Sequence, residues 1–432
     1  MAENEFLGRE VVVVEGCRIP FLRSNTHYQD LMGYQLGAMA IKGLFQKTGP
    51  FEKEVERVVL GTVTHNNKTP NLAREAAIIG GIPEFAPATT VSMACISANA
   101  AICQAADWIR TGQYEMVVAG GTDCLSDIPI PFRKEMRKKL FKAQKVKSSG
   151  DMVKMLAHFR PKDFVPEFPQ VAEFLTGMTM GEDCDKMAAK FEISRKEQDE
   201  FAVRSHQLAL AAQENGWLGE EVAAAEFPPA FHRIVTDNGI RPDSSVSKLS
   251  KLPPVFDKKY GSLTAGNSSF LTDGAAVVLL MSKGRAEFLG LQPKAVIRGY
   301  TFVGRNPEQE LLLGPAYAIP KVLKVAGLKL SDIDVFEFHE AFAAQVLSNL
   351  RCLDSQKFAE NLGLSIKIGE VPIEKLNAWG GSLAIGHPFG ATGARLLTTA
   401  VNRLGKEQGE WALLASCAAG GLGHAMLVQT CI

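Results

Sequence analysis

The chain has 432 residues, 46% of them hydrophobic and 22% charged, and its 47 basic and 47 acidic residues leave a formal net charge of zero. Such a length allows two or three domains, and the composition is that of an ordinary globular enzyme. Balanced charge gives no general attraction to nucleic acid or membrane, and no apolar run approaches the ~20 residues of a membrane span.

The opening MAENEFLGRE is acidic, without the apolar core of a signal peptide or the arginines of a transit peptide. Eight cysteines (Cys17, Cys95, Cys103, Cys124, Cys184, Cys352, Cys417 and Cys431) are scattered without a CxxC pair. That spacing argues against a zinc site or any other metal site and against a disulfide framework, and for a reducing compartment. The expected location is the cytoplasm, with the mitochondrial matrix as the alternative for a processed chain.

Val11–Val14 is a β-branched run suited to a buried strand, and Val58–Leu60 with Thr62 and Val63 suits another. Between them, residues 34–45 show helical spacing of apolar side chains. Next come a β-rich stretch from Ala88 to Met93, Cys95, and a small-residue helical pattern from Ser97 to Ile109. EMVVAGGTD then reads as a buried strand ending in a glycine turn. Alternating strands and helices imply an α/β fold with both sheet faces covered.

From Ser126 to about Asp243 the texture changes. FRKEMRKKLFKAQKVK (132–147) carries eight basic residues and one acidic, a net charge of +7. Phe132, Met136, Leu140 and Phe141 would share one face of a helix there. Such a helix lies on an anionic membrane or a partner, receives phosphates, or is merely solvated. Further on, Ser194 caps a strongly periodic helix. The second half then repeats the first: strand Ala295–Gly299, helix Pro315–Val325, strand Ile333–Phe338, then a small-residue helix, an apolar strand and paired glycines. The expected division is 1–125, completed by 244–288, as an N-terminal half, 126–243 as an inserted loop domain, and 289–432 as a C-terminal half.

Cys95 sits where a strand meets a helix N-terminus, a position whose free N–H groups favour a thiolate nucleophile. Its alternative is a small buried hydrophobe. Three glycine-rich segments accompany it: YGSLTAGNSSFLTDGAA (260–276), NAWGGSLAIGHPFGATGARL (377–396) and ASCAAGGLGHAM (415–426). None is a GxGxxG opening a helix after the first strand, so a dinucleotide fold is not indicated. Each lets backbone approach a ligand or simply turns.

Taken in order with HEAFAAQ (339–345), these segments resemble the thiolase family in nearly every element from Val11 to Val428. Within it they are similar to the long-chain 3-ketoacyl-CoA thiolase (beta) subunits of trifunctional fatty-acid oxidation complexes. The resemblance implies a thiolase-like fold of two similar α/β halves, layered α-β-α-β-α, with an inserted mainly helical loop domain. It implies that Cys95 attacks the keto carbon of a 3-ketoacyl-CoA, that His387 takes the Cys95 proton, and that Cys417 protonates the departing enolate. It implies that His387 also helps bind the thioester oxygen, while His339 stands where many thiolases have asparagine, so that a water bound there would be held differently, imidazole donating differently from an amide. The N–H groups of Cys95 and Ala419 would form a second oxyanion hole, alanine being tolerated at 419 unless its φ is positive. Ser269 and Met180 would contact coenzyme A, a co-substrate, with no tightly bound cofactor. The family is at least dimeric, so the expected assemblies are a homodimer or a heterotetramer with a hydratase/dehydrogenase subunit, with peripheral membrane contact through 132–147 and no nucleic acid. Rival readings are a biosynthetic acetoacetyl-CoA thiolase, a ketoacyl synthase, which Cys417 argues against, and an inactive scaffold.

Overall fold

The computed structural model describes residues 9–169 and 171–431. The acidic opening stretch therefore lies outside the described residues as far as Gly8. Ten strands form one mixed sheet among them: β1 (Val11–Arg18), β2 (Leu22–Arg23), β3 (Arg57–Gly61), β4 (Ala88–Val91), β5 (Met116–Asp123), β6 (Thr272–Ser282), β7 (Ala295–Gly304), β8 (Val335–Phe338), β9 (Trp411–Ala418) and β10 (Leu422–Thr430). Their order is β4-β3-β5-β6-β1-β7-β10-β9-β8, with β2 paired to β6. The first five belong to one half and the last four to the other. They join through two residue pairs, Val12 with Val296 and Val13 with Ala295.

The core explains the layering. Helices Ser97–Arg110 and Thr392–Glu407 pack together against one face of both half-sheets, through Ala101, Ile102, Leu397 and Val401. Helices Gly33–Thr48 and Leu72–Ile79 cover the other face of the first half, and Gly314–Ala326 and Ala343–Leu353 that of the second. The α-β-α-β-α arrangement follows, because each half-sheet is apolar on both faces and needs a helical cover on each. The central helix 392–407 is buried on every side from Thr392 to Leu404. It is legible as a core helix only once both sheets are in place.

The paired glycines of EMVVAGGTD differ from the sequence reading. They do not make a turn; they continue β5 to Asp123. A Cβ on Gly120 would lie 2.2 Å from the Ala276 carbonyl oxygen, and one on Gly121 2.0 Å from that of Gly390. Close approach of β6 and of the segment after His387, rather than a bend, is why side chains are excluded there.

Between β5 and β6 the chain is mainly helical, with helices at Lys134–Ala143, Ser149–Leu156, Met180–Lys190 and Arg195–Glu214. Ser194 caps the last as expected, in a reciprocal box with Glu197. In the basic stretch the helix begins at Lys134, so Phe132 lies ahead of it and bridges to Pro166. Of the four apolar residues read as one face, Met136 is buried, while Phe132, Leu140 and Phe141 are exposed. The far end of the segment is tied to the sheet by Arg18, fully buried, whose guanidinium meets Glu221 at 2.7 Å and Asp237 at 2.6 Å. No helix among the described residues is long and apolar enough to cross a membrane.

Candidate active site

The two central helices begin side by side, and each is preceded by a residue singled out from the sequence. A Cβ on Gly393 would lie 2.2 Å from the Asn99 side chain, so glycine lets the helix starts approach this closely. Ahead of the first helix the chain bends through Ala94, a non-glycine residue at φ 47°. The Met93 N–H donates to Ser97 Oγ at 2.8 Å, and that hydroxyl donates to the Ala94 carbonyl at 2.6 Å. These bonds hold a conformation that L-residues seldom adopt, with Cys95 at its crest. Ahead of the second helix, the His387 N–H donates to Thr272 Oγ1 at 3.0 Å. Asp123, at the end of β5, accepts from Thr64 N–H at 2.8 Å and Thr62 Oγ1 at 3.0 Å, and also from the Gly390 N–H. One buried carboxylate thus joins both halves of the fold behind the site.

Cys95, His387 and Cys417 all line one cavity of about 490 Å³. Met180, Ser269 and Ala419 line it too. His339 lies behind His387, ring centroids 4.0 Å apart. All seven residues expected from the sequence therefore converge on one place. Met180 opens its helix, and Ser269 is pinned by its N–H donating to the Ala341 carbonyl at 2.9 Å. Ala419 has an ordinary backbone; the left-handed residues of its turn are Gly420 (φ 81°) and Gly421 (φ 69°).

The electrostatics correct one expectation. Cys95 does not rest as a thiolate. Burial pushes its pKa up to about 12, aided by the nearby negative charges of Asp123 and Glu173 and opposed by the N–H groups of Ala419 and of Cys95 itself. Desolvation outweighs the helix N-terminus, so the thiol needs a base. Burial raises the Cys417 thiol as well, and a charge on the nearby Cys95 sulfur would raise it further.

His387 is arranged to be that base. Its Nδ1 lies 2.6 Å from Thr392 Oγ1, and that hydroxyl donates to the Pro388 carbonyl at 3.0 Å. A hydroxyl has one proton to give, so Thr392 must accept from Nδ1–H, which leaves the lone pair on Nε2. Burial, then the Arg395 charge, push the His387 pKa down to about 3, keeping the ring neutral. His339 is likewise pushed well down by burial, His387 and Arg395. Among the described residues, Nε2 of both rings is buried without a hydrogen-bond partner.

Comparison with known proteins adds a decisive observation. The family models described as the N-terminal and C-terminal domains of thiolase match residues 11–284 and 291–430. The chain belongs to the thiolase family. It is an enzyme of the acyltransferase kind. It is 50% identical over 422 residues to the mitochondrial trifunctional enzyme subunit beta of Mus musculus, covering 98% of this chain and 88% of the other. Among solved structures it is similar to human mitochondrial 3-ketoacyl-CoA thiolase (TM-score 0.84, 29% identity, 99% and 100% covered). It is also similar to the acetyl-CoA acetyltransferase of Bacillus anthracis (TM-score 0.83, 30% identity, 99% and 100% covered).

Several residues of the thiolase site escaped the sequence reading. Arg23 and Arg241 line the same cavity, Arg23 with its guanidinium 3.8 Å from the Phe270 ring centre. Glu173, buried and contributed by the inserted segment, accepts from the Gly420 N–H beside Ala419. Thr392, Ser382 and Arg395 hold the two imidazoles. Of these only Thr392 left a sequence signal, a hydroxyl five residues beyond His387 at a helix start. The Gly-Asn-Ser motif also contains a structural residue. Asn267 accepts from the Thr264 N–H at 2.7 Å and donates to Asp199 at 3.0 Å, so it fixes the loop that carries Ser269.

Proposed function

We propose that this thiolase cleaves 3-ketoacyl-CoA with coenzyme A to acetyl-CoA and an acyl-CoA two carbons shorter, through an acyl-enzyme on Cys95, as a step of fatty-acid β-oxidation. The observation that carries the reading is the single cavity shared by Cys95, Cys417 and His387, the last with a bare buried Nε2. His387 takes the Cys95 proton as the sulfur attacks the keto carbon. The bond between C2 and C3 of the substrate then breaks, leaving a thioester on Cys95 and the enolate of acetyl-CoA. Cys417 gives its proton to the enolate carbon. The incoming CoA thiol passes its proton to the Cys417 thiolate and attacks the acyl-enzyme, and His387 returns the first proton to Cys95. All groups are regenerated.

Both negative charges that develop have donors in place. The keto oxygen would face the N–H groups of Cys95 and Ala419, and the thioester oxygen would meet Nε2 of His387 once it carries the Cys95 proton, with His339 beside it. Such preorganised donors are worth about 2.7–4 kcal/mol each. Ser269 and Met180 contact the pantetheine, and the guanidinium groups of Arg23 and Arg241 suit its phosphates. Coenzyme A is a co-substrate, with no tightly bound cofactor.

The name of the Mus musculus relative, a subunit beta of a trifunctional enzyme, supports assembly with a different subunit; our reading of that assembly is a heterotetramer with a hydratase/dehydrogenase subunit, a homodimer being the minimal form. Its mitochondrial title supports the matrix over the cytoplasm. The division into 1–125 with 244–288, 126–243 and 289–432 remains our reading of the chain. The exposed basic helix with Phe141, and Phe132 just ahead of it, suits a peripheral membrane contact. Deleting 132–147 is expected to weaken binding to anionic vesicles or to the partner subunit; unchanged binding to both makes it a solvated helix.

The test of function is intact mass with peptide mapping after adding 3-ketohexadecanoyl-CoA without free CoA. A tetradecanoyl adduct on Cys95 with release of acetyl-CoA supports the reading. An acetyl adduct from acetoacetyl-CoA alone means a short-chain biosynthetic thiolase, and no adduct from either means an inactive scaffold.

A further inference from the structure

The structure assigns Ser382 and Arg395 as positioning residues that fix the proton of His339 on Nε2, making its tautomer opposite to that of His387. The inference rests on the thiolase reading above and deepens it. His339 is 1% exposed, and its Nδ1 lies 3.1 Å from Ser382 Oγ. Ser382 is itself fully buried and 3.1 Å from Nη2 of Arg395. A guanidinium only donates, so Ser382 Oγ accepts from Arg395. The serine proton then needs an acceptor, and among the described residues the Ser382 side chain has one other partner, Nδ1 of His339. With Nδ1 accepting, the one proton of a neutral imidazole sits on Nε2.

The opposite assignment would leave the serine proton buried without an acceptor, a costly state. A doubly protonated ring fails too, because Arg395 already places a cation beside it. Arg395 is locked in turn: Nη1 lies 3.4 Å from Glu337, a fully buried carboxylate that also meets Arg403 at 2.8 Å.

Two neighbouring imidazoles, tilted by 41° to each other, thereby present unlike edges. His387, fixed by Thr392, offers a lone pair at Nε2; His339, fixed by Ser382, offers an N–H. One ring accepts the Cys95 proton while the other donates to the thioester oxygen. Neither ring has to change tautomer during turnover, and that is preorganisation in the sense that lowers a barrier.

The test uses full-length enzyme with ring-labelled histidine, free of substrate, at neutral pH. Nitrogen and Cδ2 chemical shifts report the tautomer, and the signals of His339 and His387 are identified by their loss in His339→Gln and His387→Gln. The expected result is Nε2–H for His339 and Nδ1–H for His387. Ser382→Ala is expected to shift His339 toward Nδ1–H and to lower kcat about ten- to hundredfold with KM within about threefold, and Ser382→Thr to restore both. Nδ1–H or a charged ring at His339 in the unaltered enzyme overturns the inference, as does Ser382→Ala with an unchanged spectrum or kcat. Where Ser382→Ala does not fold, Arg395→Lys is the second variant, and the spectrum of the unaltered enzyme decides by itself. Failure of the unaltered enzyme to turn over 3-ketoacyl-CoA would defeat the thiolase reading while leaving the tautomer measurement intact.

Discussion

Thr392 Oγ1 stands 2.6 Å from His387 Nδ1 while giving its own proton to the Pro388 carbonyl, so a threonine of the central helix decides which nitrogen of the imidazole is basic. The base is thus set by the helix that follows it. Thr392→Val keeps the shape and removes the acceptor. We expect kcat for thiolysis of a 3-ketoacyl-CoA to fall about ten- to hundredfold, in the range of lost orienting partners, with KM little changed. Steady-state kinetics check this, and kcat equal to that of the unaltered enzyme rejects the role.

Buried neutral histidines make the fold acid-sensitive. Burial lowers His206 to about 4 and His387 and His424 to about 3, from an ordinary 6.5. The native state keeps them neutral, whereas the unfolded chain takes up protons below 6.5. Their contribution is complete above that value and is lost as pH falls toward 3–4. At pH 5 each costs about 2 kcal/mol. Tm is expected to drop between pH 7 and 5, and less steeply in His424→Gln, which keeps a polar partner for Asn99; parallel slopes for the two proteins would refute the assignment.

Glu173 separates charge from hydrogen bonding at the turn beside Ala419. Glu173→Gln keeps an acceptor for the Gly420 N–H but removes a charge that raises the Cys95 pKa. Its Cys95 is expected to alkylate faster at a fixed alkaline pH. Glu173→Ala frees the turn and is expected to lower kcat/KM about tenfold or more, the worth of a hydrogen bond to a charged group. Equal behaviour of the two variants in both assays would show that the carboxylate has no role here.

Gly393 is where the two central helices meet. Gly393→Ala drives a methyl into Asn99, and overpacking of this kind typically costs about 1–3 kcal/mol. Because the same contact sets Cys95 beside His387, activity is expected to fall along with Tm. An alanine variant as stable and active as the parent would mean that the helices part without consequence.

The sequence by itself determined the local pieces and their chemistry. The β-branched run at Val11, the cap at Ser194, the strand-to-helix joint at Cys95 and the glycine-rich segments around His387 and Cys417 are properties of neighbouring residues, and periodicity and motif order report them. Tertiary structure decided the rest, because it depends on groups far apart in the chain. The Cys95 thiol is protonated because burial, which no local pattern states, outweighs its helix N-terminus. Gly120 and Gly121 are strand residues because β6 and Gly390 approach them. Glu173, Ser382 and Arg395 belong to the site only through contacts with Gly420, His339 and Glu337, spacings of 247, 43 and 58 residues in the sequence. Hydrogen bonds that choose a histidine tautomer are made across the packed core, and packing is what a linear reading lacks.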